Sequence, residues 1–207
     1  MPIVKQQMLQ TIADSVRQGA RDFAHVLAGL ENVSPDSRRW SARELAAFPA
    51  ASEALVERVK REGNPSVRAA ILTTLTQLGD DVAVAGLAKF LRSEDAALRN
   101  EAVEAMKQLP EKVAPIIGGL LSDPDPDVRI FAVNILESLR HPQVEGWLIN
   151  VIESEPHVNV CGTAVDLLGE VGTEASCAAL YHLKERFSGE PYIQFAADLA
   201  IKRIGED

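Results

Sequence analysis

Apolar residues recur along this chain with the period of a helix. From Val128, apolar side chains follow at offsets of 4, 8 and 11 residues, which places them together with Val128 on one helical face. The preceding Asp125-Pro126-Asp127 combines carboxylates suited to capping a helix with a proline suited to its first turn. This stretch predicts an amphipathic helix that begins near Pro126.

The same four-point pattern returns through the whole chain. Its copies begin at residues 8, 37, 67, 98, 128, 160 and 193, so consecutive copies lie 29 to 33 residues apart. The five regular copies are Val67-Ile71-Leu75-Leu78, Leu98-Ala102-Met106-Leu109, Val128-Ala132-Leu136-Leu139, Val160-Ala164-Leu168-Val171 and Ile193-Ala197-Ile201-Ile204. The copies Ser37-Ser41-Leu45-Phe48 and Met8-Ile12-Val16-Gly19 are weaker. A pattern that stays in phase over seven copies indicates an internal repeat.

A second helical segment lies between these first helices. The segments of this second kind are residues 51–62, 81–93, 143–154 and 174–187, with 23–30 and 113–121 in the same slot. Turn residues such as Gly79, Pro110 and Gly172 separate paired helices. One helix pair cannot bury its apolar stripe alone, but stacked pairs can. The sequence therefore predicts an all-α fold, a right-handed α-solenoid of stacked antiparallel helix pairs with about 30 residues per repeat.

This pattern predicts a single α-solenoid domain over residues 1–207. Within it, we expect divergent N-terminal helices in residues 1–34, regular repeats in 35–189 and a C-terminal capping helix in 190–207. Lys202, Arg203 and the acidic tail after them are expected to give that last helix the polar face that an end cap needs.

The alternating aspartates Asp123, Asp125 and Asp127 also suggest a calcium loop, but the spacing argues against one. Counted from Asp123, an EF-hand loop requires Gly at position 6 and Glu at position 12, and this chain has Val128 and Asn134 there. The aspartates are therefore interpreted as part of a helix start, and no metal ligands are assigned.

The helix start Asp127-Val128-Arg129-x-x-Ala132 resembles the first-helix signature D-x-V-R-x-x-A of HEAT repeats, in particular the short bacterial type also found in phycobilisome lyases. Pro65–Arg68 and Leu98–Ala102 are similar to it. The resemblance implies an α-solenoid and says little about activity. It covers residues 35–205 well and the first 34 residues poorly.

An arginine follows the first apolar anchor in four successive repeats. These residues are Arg38, Arg68, Arg99 and Arg129. The resemblance implies that each pairs with the capping Asp of its own or an adjacent unit, so that they form a structural ladder. A row of guanidinium groups could instead bind an anion. The equivalent positions in the next two repeats are Cys161 and Gln194, where the ladder breaks.

Charge is distributed unevenly over the chain. Residues 1–103 contain 13 Lys and Arg against 13 Asp and Glu, whereas residues 104–207 contain 8 against 17, so the net charge of −9 lies in the second half. Nucleic-acid binding requires clustered basic residues, and this distribution argues against it. The two cysteines, the absence of a secretory signal and the absence of a long apolar run predict a cytoplasmic protein outside the membrane.

No catalytic constellation emerges from the sequence. HEAT-like folds include deoxyhypusine hydroxylases, which bind iron through His-Glu pairs, but none of His25, His141, His157 and His182 is followed by Glu. HEAT-like DNA glycosylases need a basic groove that the charge distribution does not supply. Cys161, near a predicted helix start and four residues after His157, is the one candidate nucleophile. We assign no catalytic residue, no cofactor and no metal.

Gly118 and Gly119 interrupt the apolar second helix 113–121. Two glycines inside a helix cost about 1 kcal/mol each relative to Ala. Either they allow a neighbouring helix to pack closely, or they form an apolar strip poor in side chains where a partner helix could approach. The sequence leaves both interpretations open.

The sequence favours a non-catalytic scaffold or adaptor that binds another protein in a concave groove lined by the second helices, with bacterial regulation or signalling as a setting that suits it. The candidate partner-binding residues are Arg58, Arg61, Lys89 and Arg92 at a basic end, and Asn150, His182 and Glu185 at a more acidic end. The alternative is a lyase-like or cofactor-chaperone accessory protein related to phycobilin lyases, which would depend on Cys161. The sequence determines neither the partner nor the oligomeric state.

Overall fold

Helix starts and stops follow the chemistry of the loops between the repeats. The structure, a computed structural model, describes residues 22–206, and the weak repeat copy at residues 8–19 lies outside that range. Within the described range the chain forms twelve α-helices and no strand. These are α1 (22–29), α2 (Pro35–Glu44), α3 (Ser52–Val59), α4 (Pro65–Leu78), α5 (Asp81–Phe90), α6 (Ala96–Lys107), α7 (Pro110–Leu121), α8 (Pro126–Leu136), α9 (Val144–Ser154), α10 (Val158–Val171), α11 (Glu174–Arg186) and α12 (Pro191–Ile204). Two 3₁₀ turns, Leu45–Ala47 and Pro49–Ala51, connect α2 to α3.

Three of the first helices, α4, α6 and α8, begin at a polar side chain that caps the helix. Asn64 Oδ1 accepts hydrogen bonds from the backbone N–H groups of Ser66 and Val67, and Asp95 and Asp125 cap α6 and α8 in the same way. These side chains satisfy amide donors that the first turn of a helix leaves without partners. At the other end of α4, Gly79 adopts φ 54°, the left-handed conformation that glycine accepts at low cost.

The predicted anchors of the repeats form the core. The first three anchors of the copies that begin at Val67, Leu98, Val128 and Val160 are all buried, whereas the fourth is more variable, from 7% exposed at Leu139 to 42% at Val171. The 3.6-residue period therefore selects the buried face of α4, α6, α8 and α10 correctly.

The described residues divide into two compact units, with the boundary between Leu87 and Ala88 inside α5. In the first unit, α2 packs against α4, and α3 also packs against α4. Thr74 Oγ1 donates to the Ala42 carbonyl at 2.8 Å between α4 and α2. Gly86 of α5 lies under the Val56 side chain of α3, so closely that a Cβ atom there would lie 2.3 Å from Val56 Cγ2.

In the second unit the first helices pack in sequence order, α6 on α8, α8 on α10 and α10 on α12. The second helix α9 packs against α10 and α11. Glu145 on α9 joins the next repeat, because its Oε1 accepts hydrogen bonds from the Thr173 N–H at 2.7 Å and from Ser176 Oγ at 2.6 Å. Burial disfavours the charged form of Glu145, but these hydrogen bonds outweigh that effect and lower its pKa.

The predicted all-α solenoid fold of repeated helix pairs is confirmed. The predicted second helices at 81–93, 143–154 and 174–187 correspond to α5, α9 and α11 within three residues at each end. The organisation of residues 1–207 as one domain with a divergent start and a capping helix stays a prediction.

Candidate functional site

The arginine ladder ties loops of successive repeats together. Arg38 Nε and Nη2 donate to the two carboxylate oxygens of Glu62 at 2.8 and 2.9 Å. Arg129 makes the same two-pronged contact with Glu155, at 2.7 and 2.8 Å. All four side chains are largely buried. The exposed fractions are 12% for Arg38 and 1% for Glu62, and 13% for Arg129 and 6% for Glu155. Such paired hydrogen bonds fix both position and orientation of the guanidinium group.

The third nitrogen of each guanidinium group is directed to the backbone. Arg38 Nη1 donates to the Asn32 and Val33 carbonyls at 2.9 and 3.0 Å, and Arg129 Nη1 donates to those of Asp123 and Pro124 at 2.7 and 3.2 Å. Nε, Nη1 and Nη2 are therefore all engaged within the protein. At Arg38 and Arg129 a free anion would have to displace a carboxylate, which makes anion binding by these two arginines unfavourable.

A second periodic position, which the sequence analysis missed, completes this arrangement. Two residues before the N-cap, one polar side chain accepts a hydrogen bond from the backbone N–H of the cap residue, at 2.8 to 3.2 Å. We call these residues the loop acceptors; they are Asn32, Glu62, Ser93, Asp123 and Glu155. They lie 30 to 32 residues apart. Their spacing is regular in the sequence. The period is difficult to recognise because the side chain differs from repeat to repeat and is an amide, a hydroxyl or a carboxylate.

For Arg38 and Arg129, the expectation that the arginine pairs with a capping Asp is wrong. The capping side chains Asn64, Asp95 and Asp125 accept from the amides of their own helices. The arginines bind the loop acceptor of the following repeat, two residues before its cap.

The other two ladder arginines are Arg99 and Arg68, and Arg99 departs from the contacts that Arg38 and Arg129 make. Arg99 Nη1 donates to the Ser93 carbonyl at 2.6 Å, and its guanidinium carbon lies 6.0 Å from the ring centroid of Phe131. Arg68 is buried, 9% exposed, on α4. Arg38, Arg99 and Arg129 therefore share a position in the repeat, while the groups that their side chains contact differ.

Glu62 is the most strongly held carboxylate of the ladder. Burial disfavours its charged form, but hydrogen bonds from Arg38, the Asn64 N–H and Arg58 outweigh that effect and lower its pKa to about 2. Burial also opposes ionisation of Glu155, and the hydrogen bonds from Arg129 and the His157 N–H again prevail and lower its pKa. Both groups are carboxylates at neutral pH.

Three of the four residues predicted to form a basic binding end are held in ion pairs. Arg58 is only 11% exposed and binds Glu62 at 2.6 Å and Glu31 at 3.4 Å. Arg61 is 57% exposed and binds Glu31. Arg92 binds the buried Asp123. Arg58 and Arg92 therefore have a structural role, because each holds a buried acidic side chain of an inter-repeat loop.

Lys89 and the three residues of the predicted acidic end are exposed. Lys89 lies on α5, Asn150 on α9, and His182 and Glu185 on α11. Asn150 lines a groove described below. Binding by any of the seven predicted residues stays a prediction, as does one groove that contains all of them.

The break in the ladder at Cys161 has a structural explanation. Cys161 Sγ lies 3.4 Å from the Glu155 carbonyl, in the place where other repeats direct an arginine. Arg186, at the end of α11, supplies the missing guanidinium group. Its Nη1 donates to the Ile152 and Glu153 carbonyls at 2.6 and 2.8 Å, and its Nη2 donates to the Glu155 carbonyl at 2.7 Å. An arginine from the second helix thus caps the end of α9.

Gln194 occupies the next ladder position and also donates hydrogen bonds to backbone carbonyls at the end of a second helix. Its Nε2 donates to the Lys184 and Phe187 carbonyls at 2.8 and 3.1 Å. The amide of Gln194 therefore satisfies backbone acceptors at the end of α11, as an arginine does in the earlier repeats.

The candidate nucleophile Cys161 is poorly placed to react. Its side chain is buried, and burial together with the nearby Glu155 carboxylate raises its pKa to about 11. Cys177, on α11, is partly exposed, and both thiols are free. Among the described residues, no group of three His, Cys, Asp or Glu side chains is arranged to hold a metal ion.

The two glycines of α7 do not serve close helix packing. Both are exposed, and a Cβ atom built on Gly118 or Gly119 would meet no atom within 4 Å; the same holds for Gly146 on α9. The close-packing interpretation is therefore wrong. Gly118 lines a groove of about 230 Å³, whose other lining residues are Leu121, Ser122, Trp147, Asn150, Val151, Ser154 and Glu155.

Trp147 is the aromatic residue of this groove. Its ring stacks on His141, with a distance of 4.9 Å between ring centroids and an angle of 14° between the planes. The half-buried indole and Gly118 both line the groove, and stacking on His141 favours this orientation of the ring.

The exposed surface of the last helix is partly polar and partly apolar. Lys202 and Arg203 are exposed on α12 as expected, but Tyr192, Phe195 and Leu199 are also exposed, by 54%, 67% and 38%.

In the part of the chain that the structure covers, none of the helices is both long enough and apolar enough to cross a bilayer.

Comparisons with known proteins agree with the repeat. A sequence model of HEAT repeats matches residues 23–107 and 113–202. Human deoxyhypusine hydroxylase is 16% identical, with 91% of this chain and 75% of that one covered and a TM-score of 0.47. An archaeal HEAT-like repeats protein from Thermococcus onnurineus is 18% identical, with 93% of each chain covered and a TM-score of 0.41.

A chain from the CpcE–CpcF complex of phycocyanin lyase from a Nostoc species is 19% identical, with 86% of this chain and 93% of that one covered and a TM-score of 0.36. No curated protein sequence matches this chain. At these identities, the structural similarities concern the fold alone.

Proposed function

The chain belongs to the HEAT-repeat family, and we propose that it is a non-catalytic scaffold that binds another protein through the exposed faces of second helices α7 and α9. One observation carries this proposal: Gly118 and Gly119 lie inside α7 on an exposed face, and no neighbouring atom requires their lack of a side chain.

These two glycines destabilise α7, and no close contact at either position offsets that cost. Each costs about 1 kcal/mol relative to Ala, because glycine loses more backbone freedom when a helix forms. Alanine would fit at both positions, since a Cβ atom there would lie in open space. An approaching segment that needs the bare backbone surface explains the two glycines, since small residues let a second backbone come close.

The surroundings of the glycines suit a peptide or helix. The groove between α7 and α9 combines apolar surface from Leu121 and Trp147 with polar groups from Asn150 and Ser154. Protein-binding sites commonly place an aromatic anchor among polar groups that fix the orientation of the partner. Trp147 is the anchor that we propose, and Asn150 is the predicted binding residue that lines the same groove.

The alternative of a lyase-like accessory protein depended on Cys161. A thiol that is buried and has a raised pKa is a poor nucleophile at neutral pH. This observation supports the scaffold over the accessory enzyme.

The test introduces side chains where the proposed partner approaches. Affinity capture from the native cell would use the full chain, the double variant Gly118→Leu/Gly119→Leu and the control Ala85→Leu, which adds the same side chain to an exposed position of α5. Leucine is a good helix former, so the double variant should keep its helicity, which circular dichroism checks.

We expect one partner to be captured by the wild type and the control. Titration of that purified partner should then show binding to the double variant weakened about tenfold or more, the scale of a typical interface hot spot. Equal binding to all three proteins would contradict the proposed face, and capture of no partner by the wild type would contradict the scaffold.

A further inference from the structure

One face of α2 differs in burial from the same face of every later first helix. The position seven residues after the first anchor is buried in α4, α6, α8, α10 and α12, where it is Thr74, Ala105, Ile135, Leu167 and Ala200. In α2 that position is Glu44, which is exposed, and Trp40, one turn earlier, is 56% exposed. We call Trp40 and Glu44 the open face of α2. Trp40 also lines a cavity of about 580 Å³ between α1 and α2.

Contacts in other repeats show which element covers this face. Thr74 Oγ1, seven residues after the first anchor of α4, donates to the Ala42 carbonyl of α2 at 2.8 Å. A Cβ atom built on Gly169 of α10 would lie 3.4 Å from Ala200, which has the same position on α12. In both pairs the covering element is the first helix of the preceding repeat. The open face of α2 therefore has the position that a preceding first helix covers in these repeats.

The sequence contains a first-helix pattern at the required distance before α2. It is the weak copy at residues 8–19, which lies outside the described residues, and its first anchor precedes that of α2 by 29 residues. Its fourth anchor, Gly19, comes three residues before α1 begins, just as Leu78 comes three residues before α5 and Val171 three residues before α11. Because α1 occupies the second-helix slot, the connection between Gly19 and α1 has the length that joins the two helices of a pair in these repeats.

The charges on the two sides are complementary. In the contact between Gly169 and Ala200, the ninth position after an anchor meets the seventh position of the next first helix. The ninth position of residues 8–19 is Arg17, and the seventh position of α2 is Glu44. Opposite charges at contacting positions attract each other.

One pair of like charges also lies near this contact and is already compensated. Asp14 has the position of Asp166 in α10, whose carboxylate accepts a hydrogen bond from Tyr192 at the start of α12. The position of Tyr192 is occupied in α2 by Asp36, so Asp14 would lie near a second carboxylate. Arg39 binds Asp36 at 2.8 Å and offsets that repulsion.

We propose that residues 8–19 are the first helix of an N-terminal repeat and pack on the open face of α2, with Arg17 beside Glu44. Ala13 then has the position that Ala42 has where α2 meets α4, and its small side chain leaves room for the Trp40 indole. The proposal is independent of the partner-binding face on α7 and α9, so neither test decides the other.

The first test uses the fluorescence of Trp40 in the full chain. Trp147→Phe removes the other tryptophan, so that the emission reports Trp40 alone. We expect the emission of a covered indole that iodide quenches poorly. Ala13→Glu should shift the emission to longer wavelength and increase quenching, because it places a charge against the indole.

Gln18→Glu is the matched control for Ala13→Glu, because it adds the same charge to the same segment. Its position corresponds to Glu170 of α10, which lines a groove with residues of the preceding helix α8. Gln18 is therefore expected on the side away from α2, and Gln18→Glu should leave the Trp40 emission unchanged.

The second test examines the charge pair. Arg17→Glu and Glu44→Arg should each increase iodide quenching of Trp40, because each places like charges together. The double variant Arg17→Glu/Glu44→Arg should restore the low quenching, since the two charges have exchanged places. Low ionic strength is the appropriate condition, because salt screens exposed charges.

Circular dichroism would verify that each variant is folded. Emission of a solvent-exposed Trp40 in the full chain, emission that Ala13→Glu leaves unchanged, or a double charge variant as strongly quenched as the single ones would overturn the proposal. Emission that changes with protein concentration between about 1 and 100 µM would overturn it as well, because a second copy would then cover the face.

Discussion

Arg129 and Glu155 lie 26 residues apart in the chain and form a buried pair with two parallel hydrogen bonds of 2.7 and 2.8 Å. Because Glu155 also accepts from the His157 N–H, one carboxylate holds the loop between α9 and α10 in place against the start of α8. The pair therefore connects one repeat to the next through side chains, in addition to the apolar contacts of the core.

Replacement of Glu155 by Gln should destabilise the protein. Gln keeps the size of the side chain but leaves the Arg129 guanidinium group without its counter-charge in a site only 6% to 13% exposed. We expect a loss of about 2–4 kcal/mol in the free energy of unfolding, measured by urea titration. The control Asp36→Asn breaks the exposed Arg39–Asp36 pair and should cost less than about 1 kcal/mol. Equal effects of the two variants would contradict a structural role for the buried pair.

The burial pattern of the core could be predicted from the sequence, because it depends on a period that every repeat shares. Val67, Leu98, Val128 and Val160 are buried for the same reason, namely that an amphipathic helix turns its apolar stripe towards its neighbours. The partner of Arg129 could not be predicted, since it depends on the path of a loop. The sequence marks Asp125 and Glu155 alike as acidic residues near a helix start.

Acid should weaken the protein through Glu62. Its pKa in the folded protein is about 2, below the ordinary value of 4.5, so the protonated form is favoured more in the unfolded chain than in the folded one. The stabilisation from Glu62 is fully present above pH 4.5 and is lost as the pH falls towards 2. We expect Glu62→Gln to be less stable than the wild type at pH 7 and to show a weaker fall in stability between pH 4.5 and 2.

Measurement of the free energy of unfolding by urea titration at several pH values tests this expectation. Glu57→Gln is a suitable control, because Glu57 is 58% exposed and pairs with exposed Lys60, the residue that follows α3. Parallel pH curves for wild type and Glu62→Gln would show that Glu62 is not the responsible carboxylate.

The two thiols should differ in reactivity. Cys161 is buried with a pKa raised to about 11, whereas Cys177 is partly exposed. At pH 7.5 we expect a thiol reagent to modify one thiol per chain rapidly, and the second only after denaturation. In Cys177→Ser the rapid reaction should disappear. Rapid modification of the remaining thiol in Cys177→Ser would contradict the burial of Cys161 and restore it as a candidate nucleophile.

Arg186 could not be identified from the sequence as the replacement for a ladder arginine, because it lies in the second helix and 25 residues after the vacant position at Cys161. In the structure its guanidinium group reaches the carbonyls of Ile152, Glu153 and Glu155. Arg186→Ala leaves these carbonyls at the end of α9 without their charged donor. The expected loss is about 1–3 kcal/mol in the free energy of unfolding, as for hydrogen bonds to charged groups.

The substitution Cys161→Arg then tests whether an arginine at position 161 can replace Arg186 as the donor to the Glu155 carbonyl. Alone, it should destabilise the protein, because it places a second guanidinium group where Arg186 already occupies the Glu155 carbonyl. In the Arg186→Ala background the new arginine gains access to that carbonyl, which Cys161 Sγ approaches at 3.4 Å. The double variant should therefore be more stable than the sum of the single effects implies, by about 1 kcal/mol or more. Additive effects in this double-mutant cycle would mean that Arg186 caps α9 independently and that the break in the ladder at Cys161 is not compensated.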